Sequence, residues 1–188
     1  MKKKTKIILS ASIIVVIVLA GGSYFFMQMM KQPLYKPGML RADDELKASL
    51  VPPVQTESVH FWQMEKGVQL FHFAEGEGQN VLVVHGGPGY PYVKPWTGLK
   101  QLTGKYRFHY YDQRGTGRSS RPVDRFSSGN YYENMKGLEK KLGLGTQLAD
   151  IERIRQLLNE EKLIIIGHSF GGLLAALYAA EFPEHVKA

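Results

Sequence analysis

The chain has 188 residues, 44% of them hydrophobic and 22% charged, which fits one globular domain with a sizeable core. It contains no Cys, and this excludes disulfides, thiolate metal sites, a Cys nucleophile and a lipid anchor on Cys. The net charge is +7, but Lys2, Lys3, Lys4 and Lys6 supply four of these charges and residues 31–188 carry only +3. Because the remaining basic residues are spread thinly rather than clustered, the sequence argues against nucleic-acid binding.

The first thirty residues (1–30) are typical of a targeting segment. The Lys cluster precedes a mostly apolar stretch, residues 7–30, which as a helix would be about 36 Å long and could cross a bilayer. We expect the cluster to keep the N-terminus in the cytoplasm and the rest of the chain outside. Two interpretations stay open: an uncleaved anchor at the cell membrane, and a signal peptide cleaved near Ala20 that leaves a secreted protein.

Residues 31–56 are predicted to be a linker, because four prolines interrupt this stretch. A polar run at Arg41–Lys47 is a candidate short helix within it. From residue 57 the pattern changes to strands and then to alternating strands and helices, so residues 57–188 are predicted to form the globular domain.

Strands and helices alternate through the predicted domain. The predicted strands are residues 58–64, 68–73, 81–84, 106–111 and 163–166, and the predicted helices are residues 146–159 and 170–182. The first two strands are predicted to form a hairpin, whereas the later apolar runs are typical of strands buried on both faces of a parallel sheet. The alternation predicts an α/β fold with a mostly parallel sheet and flanking helices.

Gly167–Gly171 form a G-x-S-x-G motif between the last predicted strand and the last predicted helix. A strand-to-helix turn this tight forces Ser169 into a strained conformation, with its hydroxyl above the sheet at the positive end of a helix. The position of the motif, more than its letters, identifies Ser169 as a candidate nucleophile. A carboxylate nucleophile, as in epoxide hydrolases, is disfavoured because a serine occupies this place.

A glycine-rich loop, His85–Gly89, directly follows the strand at 81–84. Acyl transfer needs backbone N–H groups aimed at the developing oxyanion, and such a loop can supply one of them. The residue after the nucleophile supplies the other, so Gly87 and Phe170 are the predicted oxyanion donors. His85 is predicted to order the loop rather than to act as the base.

A second loop, Asp112–Ser119, reads DQRGTGRS and follows the strand at 106–111. We expect it to be held by hydrogen bonds, with Asp112 and Arg114 as local partners. It lacks the Lys of a P-loop and the glycine spacing of a dinucleotide fingerprint, so a phosphate site is not predicted.

The three motifs HGGPG, DQRGTGRS and GHSFGG, in this order and spacing, resemble the proline iminopeptidase family of α/β-hydrolases. The resemblance runs from about Val81 to the end of the chain and implies the α/β-hydrolase fold. It implies an aminopeptidase that releases N-terminal proline, or a similar residue, by acyl-enzyme chemistry without a metal or another cofactor. It also implies a His base oriented by an Asp, both following the nucleophile along the chain.

The triad Asp and His are not found in this chain. After Ser169 there is no Asp and only His185, which lies about 24 Å further along a helix and is not the base. Six further candidates precede Ser169, and none of them lies at a position that the family uses for catalysis: His60, His72, His109, Asp112, Asp124 and Asp150. We therefore expect the N-terminal part of a hydrolase, truncated after the nucleophile strand and helix, where residues 186–188 begin the next strand.

Three functional hypotheses follow from these residues. The first is an extracytoplasmic aminopeptidase acting on peptides, the second an esterase or other small-molecule hydrolase, and the third an anchored module without catalysis. The cap and the later loops that would recognise a substrate are expected beyond these residues, so the sequence predicts neither the substrate nor the oligomeric state. Residues 121–143 are predicted to add helix over the site.

Overall fold

A computed structural model describes residues 3–31, 35–42 and 50–188, and the chain divides into two compact units between Lys36 and Pro37. The first unit contains helix α1 (Lys3–Met30). Within the described part of the chain, no helix combines the length and the apolar character needed to cross a membrane.

The second unit is an α/β domain built on a five-stranded sheet. Its strands are β1 (Phe61–Glu65), β2 (Val68–Glu75), β3 (Gln79–Val84), β4 (Tyr106–Tyr111) and β5 (Ile164–Gly167). Its α-helices are α2 (Met39–Ala42), α3 (Tyr131–Leu142), α4 (Leu144–Leu157) and α5 (Phe170–Glu181). Two short 3₁₀ helices span Thr97–Leu102 and Pro183–His185.

The strands lie in the order β1-β2-β4-β3-β5. The predicted hairpin of β1 and β2 forms an antiparallel edge, and β2 also pairs antiparallel with β4. Strand β3 pairs in parallel with β4 on one side and with β5 on the other. The predicted α/β fold is thus confirmed, with an antiparallel hairpin added to a parallel centre.

Both faces of the sheet centre are buried. Side chains alternate between the faces along each strand, and one face carries an apolar cluster of Val81, Val83, Phe108 and Tyr110. On the helical side, α5 packs against β3 and β5, and α4 packs against α5 and β1. Burial on both faces explains why β3 is a continuous apolar run.

All of these predicted strand and helix boundaries lie within three residues of the observed ones. Strand β3 begins at Gln79 rather than at Val81, because Gln79 and Asn80 pair with the start of β4. Helix α4 ends at Leu157 rather than at Asn159, because Asn159 has a left-handed φ of 54° that no helix accommodates.

Part of the predicted linker belongs to the second unit and packs against α5. In the segment 37–42, Leu40 is fully buried and the backbone N–H groups of Gly38 and Arg41 donate to the carboxylate of Glu181, the last residue of α5. The Arg41 guanidinium also lies 4.8 Å from the ring centre of Phe182. The predicted helix at 41–47 is described only at its start, since residues 43–49 lie outside the described residues.

Gln55, in the same predicted linker, closes the outer edge of β1. Its side-chain oxygen accepts from the Gln63 N–H at 2.8 Å, and its side-chain nitrogen donates to the Gln63 carbonyl at 3.0 Å. A single amide thus replaces a neighbouring strand at the middle of β1 and protects that edge from pairing with other chains.

The opposite edge of the sheet continues beyond β5. Leu163 forms a parallel bridge with Val186, and the Ile165 N–H donates to the Ala188 carbonyl at 2.9 Å. Residues 186–188 therefore run beside β5, where the sequence predicts the next strand to begin.

Helix α5 lies unusually close to β3 at Gly171. A Cβ atom added to Gly171 would lie 2.1 Å from the Val84 carbonyl oxygen and 2.7 Å from that of His85. Only glycine allows this approach, so this residue sets the distance between the helix and the strand.

We predict that Gly171→Ala lowers the free energy of unfolding by about 1–3 kcal/mol, because the added methyl group displaces α5 from β3. Gly137→Ala is the matched control, since a Cβ at Gly137 in α3 meets nothing within 4 Å. It should raise stability by up to about 1 kcal/mol through helix propensity. Urea unfolding of both variants measures the difference, and a Gly171→Ala protein as stable as the parent would contradict the close packing.

Two histidines lie close together on the antiparallel strands β2 and β4. The His72 ring stacks on Trp62 at 3.7 Å, and the His109 Nε2 atom lies 2.7 Å from the Asn80 side-chain oxygen. Burial, and to a lesser degree nearby positive charge that includes Arg107, lowers the pKa of both imidazoles to about 4. Both rings are therefore neutral in the folded protein at neutral pH.

We predict that acid destabilises the second unit through this pair. An unfolded His takes up a proton near pH 6.5, whereas the folded pair resists protonation until about pH 4. The unfolded state binds more protons between these values, so stability is full above pH 6.5 and falls as the pH drops towards 4. His72→Phe retains the stack without the titrating group and should reduce this fall, measured by urea unfolding at about pH 7 and about pH 5. An unchanged pH dependence in the variant would refute the role of His72.

Candidate active site

The three sequence motifs meet at one edge of the sheet. Strands β3, β4 and β5 are parallel neighbours, and Val84 pairs with Gly167 at the ends of β3 and β5. The HGGPG, DQRGTGRS and GHSFGG loops follow the carboxyl ends of these strands. The chain also crosses from one side of β3 to the other at this point, and in open α/β sheets such an edge is where ligands bind.

Ser169 occupies the turn between β5 and α5. Its φ of 54° and ψ of −120° lie in a region that residues with side chains rarely adopt. The residue is exposed, and α5 begins at Phe170, so the hydroxyl stands at the positive end of the helix. The strained turn that the sequence predicts is present, and it presents Ser169 to the solvent.

The glycine-rich loop contacts this turn directly. A Cβ atom added to Gly86 would lie 2.9 Å from the Ser169 Cβ and 2.9 Å from the His168 carbonyl oxygen. Gly87 is the next residue of the loop. Among hydrogen bonds between described residues, neither the Gly87 nor the Phe170 N–H donates one. Both groups remain available for the predicted oxyanion role, which stays a prediction.

His85 orders the loops, as the sequence predicts. Its ring is fully buried, its Nδ1–H donates to the Gly86 carbonyl at 2.8 Å, and its Nε2 accepts from the Gln113 N–H at 3.0 Å. The side-chain nitrogen of Gln113 donates a hydrogen bond to the His85 carbonyl at 2.8 Å. Burial lowers the pKa of His85 below its usual value. With both nitrogens engaged, this neutral imidazole joins two loops and has no role as a base.

The DQRGTGRS loop is held by internal hydrogen bonds. One carboxylate oxygen of Asp112 accepts from the Arg118 N–H at 2.8 Å, and the Ser119 hydroxyl donates to the Asp112 carbonyl at 2.6 Å. The same hydroxyl accepts from the Phe71 N–H at 2.9 Å and so ties the loop to β2. The local partner of Asp112 is therefore Arg118.

The predicted local pairing of Asp112 with Arg114 is wrong. The Arg114 side chain is fully buried and makes two bonds to Asp150 in α4, at 2.6 and 2.7 Å, and one to Glu65 at 2.9 Å. Burial alone would lower the pKa of Arg114, but the two carboxylates outweigh it and raise the pKa. A long guanidinium side chain reaches partners distant in sequence, and here it connects the loop to both β1 and α4.

His185 contacts side chains near the end of α5. Its Nδ1 atom lies 3.1 Å from the Glu152 carboxylate, and its ring stacks on Phe182. Glu152 also accepts from the Tyr178 hydroxyl at 2.7 Å. Burial would raise the pKa of Glu152, but bonds from Arg155 and Tyr178 outweigh burial and lower it.

An aromatic layer that sequence reasoning missed lies beside the turn that contains Ser169. The Trp96 ring meets the ring of His168, the neighbour of Ser169, at 5.7 Å and 80°. Tyr92 contacts Trp96 at 5.1 Å, and both rings pack on the sheet cluster that contains Tyr110. In the sequence, only the aromatic residues that follow HGGPG indicate this layer.

The predicted extra helix is α3, which borders a cavity of about 490 Å³. The cavity is lined by residues 122–128 of the preceding loop and by Glu133, Asn134, Gly137, Leu138 and Lys141. Neither Ser169 nor a predicted oxyanion residue is among its lining residues, so α3 borders a cavity separate from the turn that contains Ser169. Within the described residues, no cluster of three or more His, Asp or Glu side chains could hold a metal ion.

Comparison with known proteins agrees with this architecture. The α/β-hydrolase fold family matches residues 79–188. Proline iminopeptidase of Heyndrickxia coagulans is 36% identical over 112 residues, which are 60% of this chain and 34% of that protein. Proline iminopeptidase of Saccharolobus solfataricus is 32% identical over 116 residues, 60% of this chain and 32% of the relative.

A proline iminopeptidase-related protein of Thermus thermophilus has a similar fold, with a TM-score of 0.54 at 23% sequence identity over 69% of this chain and 42% of that one. The chain spans about a third of the length of the two iminopeptidases it matches. Since the family match covers more than half of the chain, and the sheet carries the three motif loops at one edge, the chain belongs to the α/β-hydrolase fold family, with relatives among the proline iminopeptidases.

Proposed function

We propose that the protein is a serine hydrolase of the aminopeptidase type, which releases N-terminal proline or a similar residue from peptides. The observation that carries the proposal is the exposed, left-handed Ser169 at the start of α5. Its contact with the glycine-rich loop and the similarity to two proline iminopeptidases support it further.

The proposed reaction begins with attack of the Ser169 hydroxyl on the scissile carbonyl carbon. The Gly87 and Phe170 N–H groups would donate to the oxyanion of the tetrahedral intermediate. A His base would take the serine proton and return it to the leaving amine, and water would then release the acyl group. His85 and His185 are both held by other hydrogen bonds. The proposal therefore assigns neither of them as the base.

We predict that a fluorophosphonate probe labels the native protein at Ser169, because an activated serine attacks phosphorus as it attacks a carbonyl. Ser169→Ala should abolish labelling, whereas Ser127→Ala, which changes an exposed loop serine, should leave it intact. Mass spectrometry of the labelled peptide locates the adduct. Absence of labelling in the native protein would refute the hydrolase proposal and favour an anchored module without catalysis.

Cleavage rates on a proline anilide and on short acyl esters distinguish the two enzyme classes. The aminopeptidase proposal expects kcat/KM to be higher for the anilide. If the protein prefers acyl esters and Ser169 is still labelled, the result would support Ser169 as the nucleophile. It would refute the aminopeptidase proposal in favour of an esterase.

We also propose that residues 1–30 direct the domain out of the cytoplasm, on the strength of the Lys cluster and the apolar stretch behind it. Alkaline phosphatase fused after residue 56 should be active in a bacterial host, because this reporter folds only outside the cytoplasm. Replacing Lys2, Lys3, Lys4 and Lys6 by Glu should lower that activity several-fold. An inactive fusion of the unchanged segment would contradict export, and the mass of the active fusion separates an anchor from a segment cleaved near Ala20.

A further inference from the structure

Trp96 connects three parts of the candidate active site. It immediately precedes the 3₁₀ helix at Thr97–Leu102, and its backbone N–H donates to the buried Tyr110 hydroxyl of β4 at 3.1 Å. Its ring meets the edge of Tyr92, in the segment that follows the HGGPG loop, at 5.1 Å and 71°. The same ring meets His168, in the nucleophile turn, at 5.7 Å and 80°.

The nucleophile turn needs such support from outside. Ser169 holds a strained backbone conformation, and strained residues persist only where their surroundings fix them. His168 and Ser169 are both exposed, so the packing around them is thin on the solvent side. Trp96 is itself only half-buried, which distinguishes it from the core residues beneath it.

We propose that Trp96 is a positioning residue for the reaction of Ser169. Its edge-to-face contact with His168 fixes the nucleophile turn, and its contact with Tyr92 fixes the glycine-rich loop. Together they hold the hydroxyl and the Gly87 N–H in one geometry. The inference rests on the proposed function, because positioning has meaning only if Ser169 reacts.

Reactivity of Ser169 is the first test. Trp96→Ala should lower the rate constant of fluorophosphonate labelling about ten-fold or more, since a displacement of about 1 Å near the reacting atoms can cost a hundred-fold. Trp96→Phe retains an aromatic edge and should recover most of the rate. Trp62→Phe, which changes the other tryptophan, should leave the rate unchanged, because Trp62 stacks on His72 away from the motif loops.

A kinetic signature separates positioning from a general loss of structure. With a cleavable substrate, Trp96→Ala should lower kcat and leave KM nearly unchanged, while its thermal midpoint stays close to that of Trp62→Phe. Adding His168→Ala to Trp96→Ala should lower the rate no further, because the contact is already lost. Additive losses from the two changes, or a full rate in Trp96→Ala, would overturn the proposal.

Amide hydrogen exchange supplies a test that needs no activity. Peptides covering residues 85–91 and 167–172 should exchange faster in Trp96→Ala than in the parent or in Trp62→Phe. Equal exchange would overturn the positioning role even if labelling succeeds. If the native protein never reacts at Ser169, the proposed function fails on its own, and the exchange measurement still decides whether Trp96 holds the two loops.

Discussion

The parallel pairing of β3 with β4 and with β5 is the constraint on which the candidate site depends. Parallel neighbours end at the same edge of a sheet, so the loops that follow these strands are forced together. The register of Val84 with Gly167 then brings Gly86 against Ser169.

Hydrogen bonds made by buried polar groups fix the relative positions of the loops at this edge of the sheet. The neutral His85 ring links its own loop to Gln113, and Arg114 continues the connection to Asp150 in α4. Removing one partner from such a buried pair typically costs about 3–5 kcal/mol, because the other charge is left uncompensated. The two loops are thus anchored to each other and to the helix layer, while the exposed Ser169 turn depends on thinner contacts such as Trp96.

The closing contacts at the two sheet edges differ in kind. At β1 the side chain of Gln55 occupies the bonding positions of a strand, which ends the sheet there. Beside β5, residues 186–188 extend the parallel ladder. The segment 37–42 meanwhile binds Glu181 at the far end of α5, so the helix that follows Ser169 is held at both termini.

The sequence by itself determined the strands, the helices α4 and α5 and the position of Ser169, because alternation, apolar runs and a G-x-S-x-G turn are local properties of the chain. It also identified His85 as a residue that orders a loop. Only the tertiary structure decided that β5 lies next to β3, that Arg114 binds Asp150 instead of Asp112, and that Trp96 meets His168. These are contacts between residues 36 or more positions apart, and such contacts follow from sheet order and packing, which no local pattern specifies.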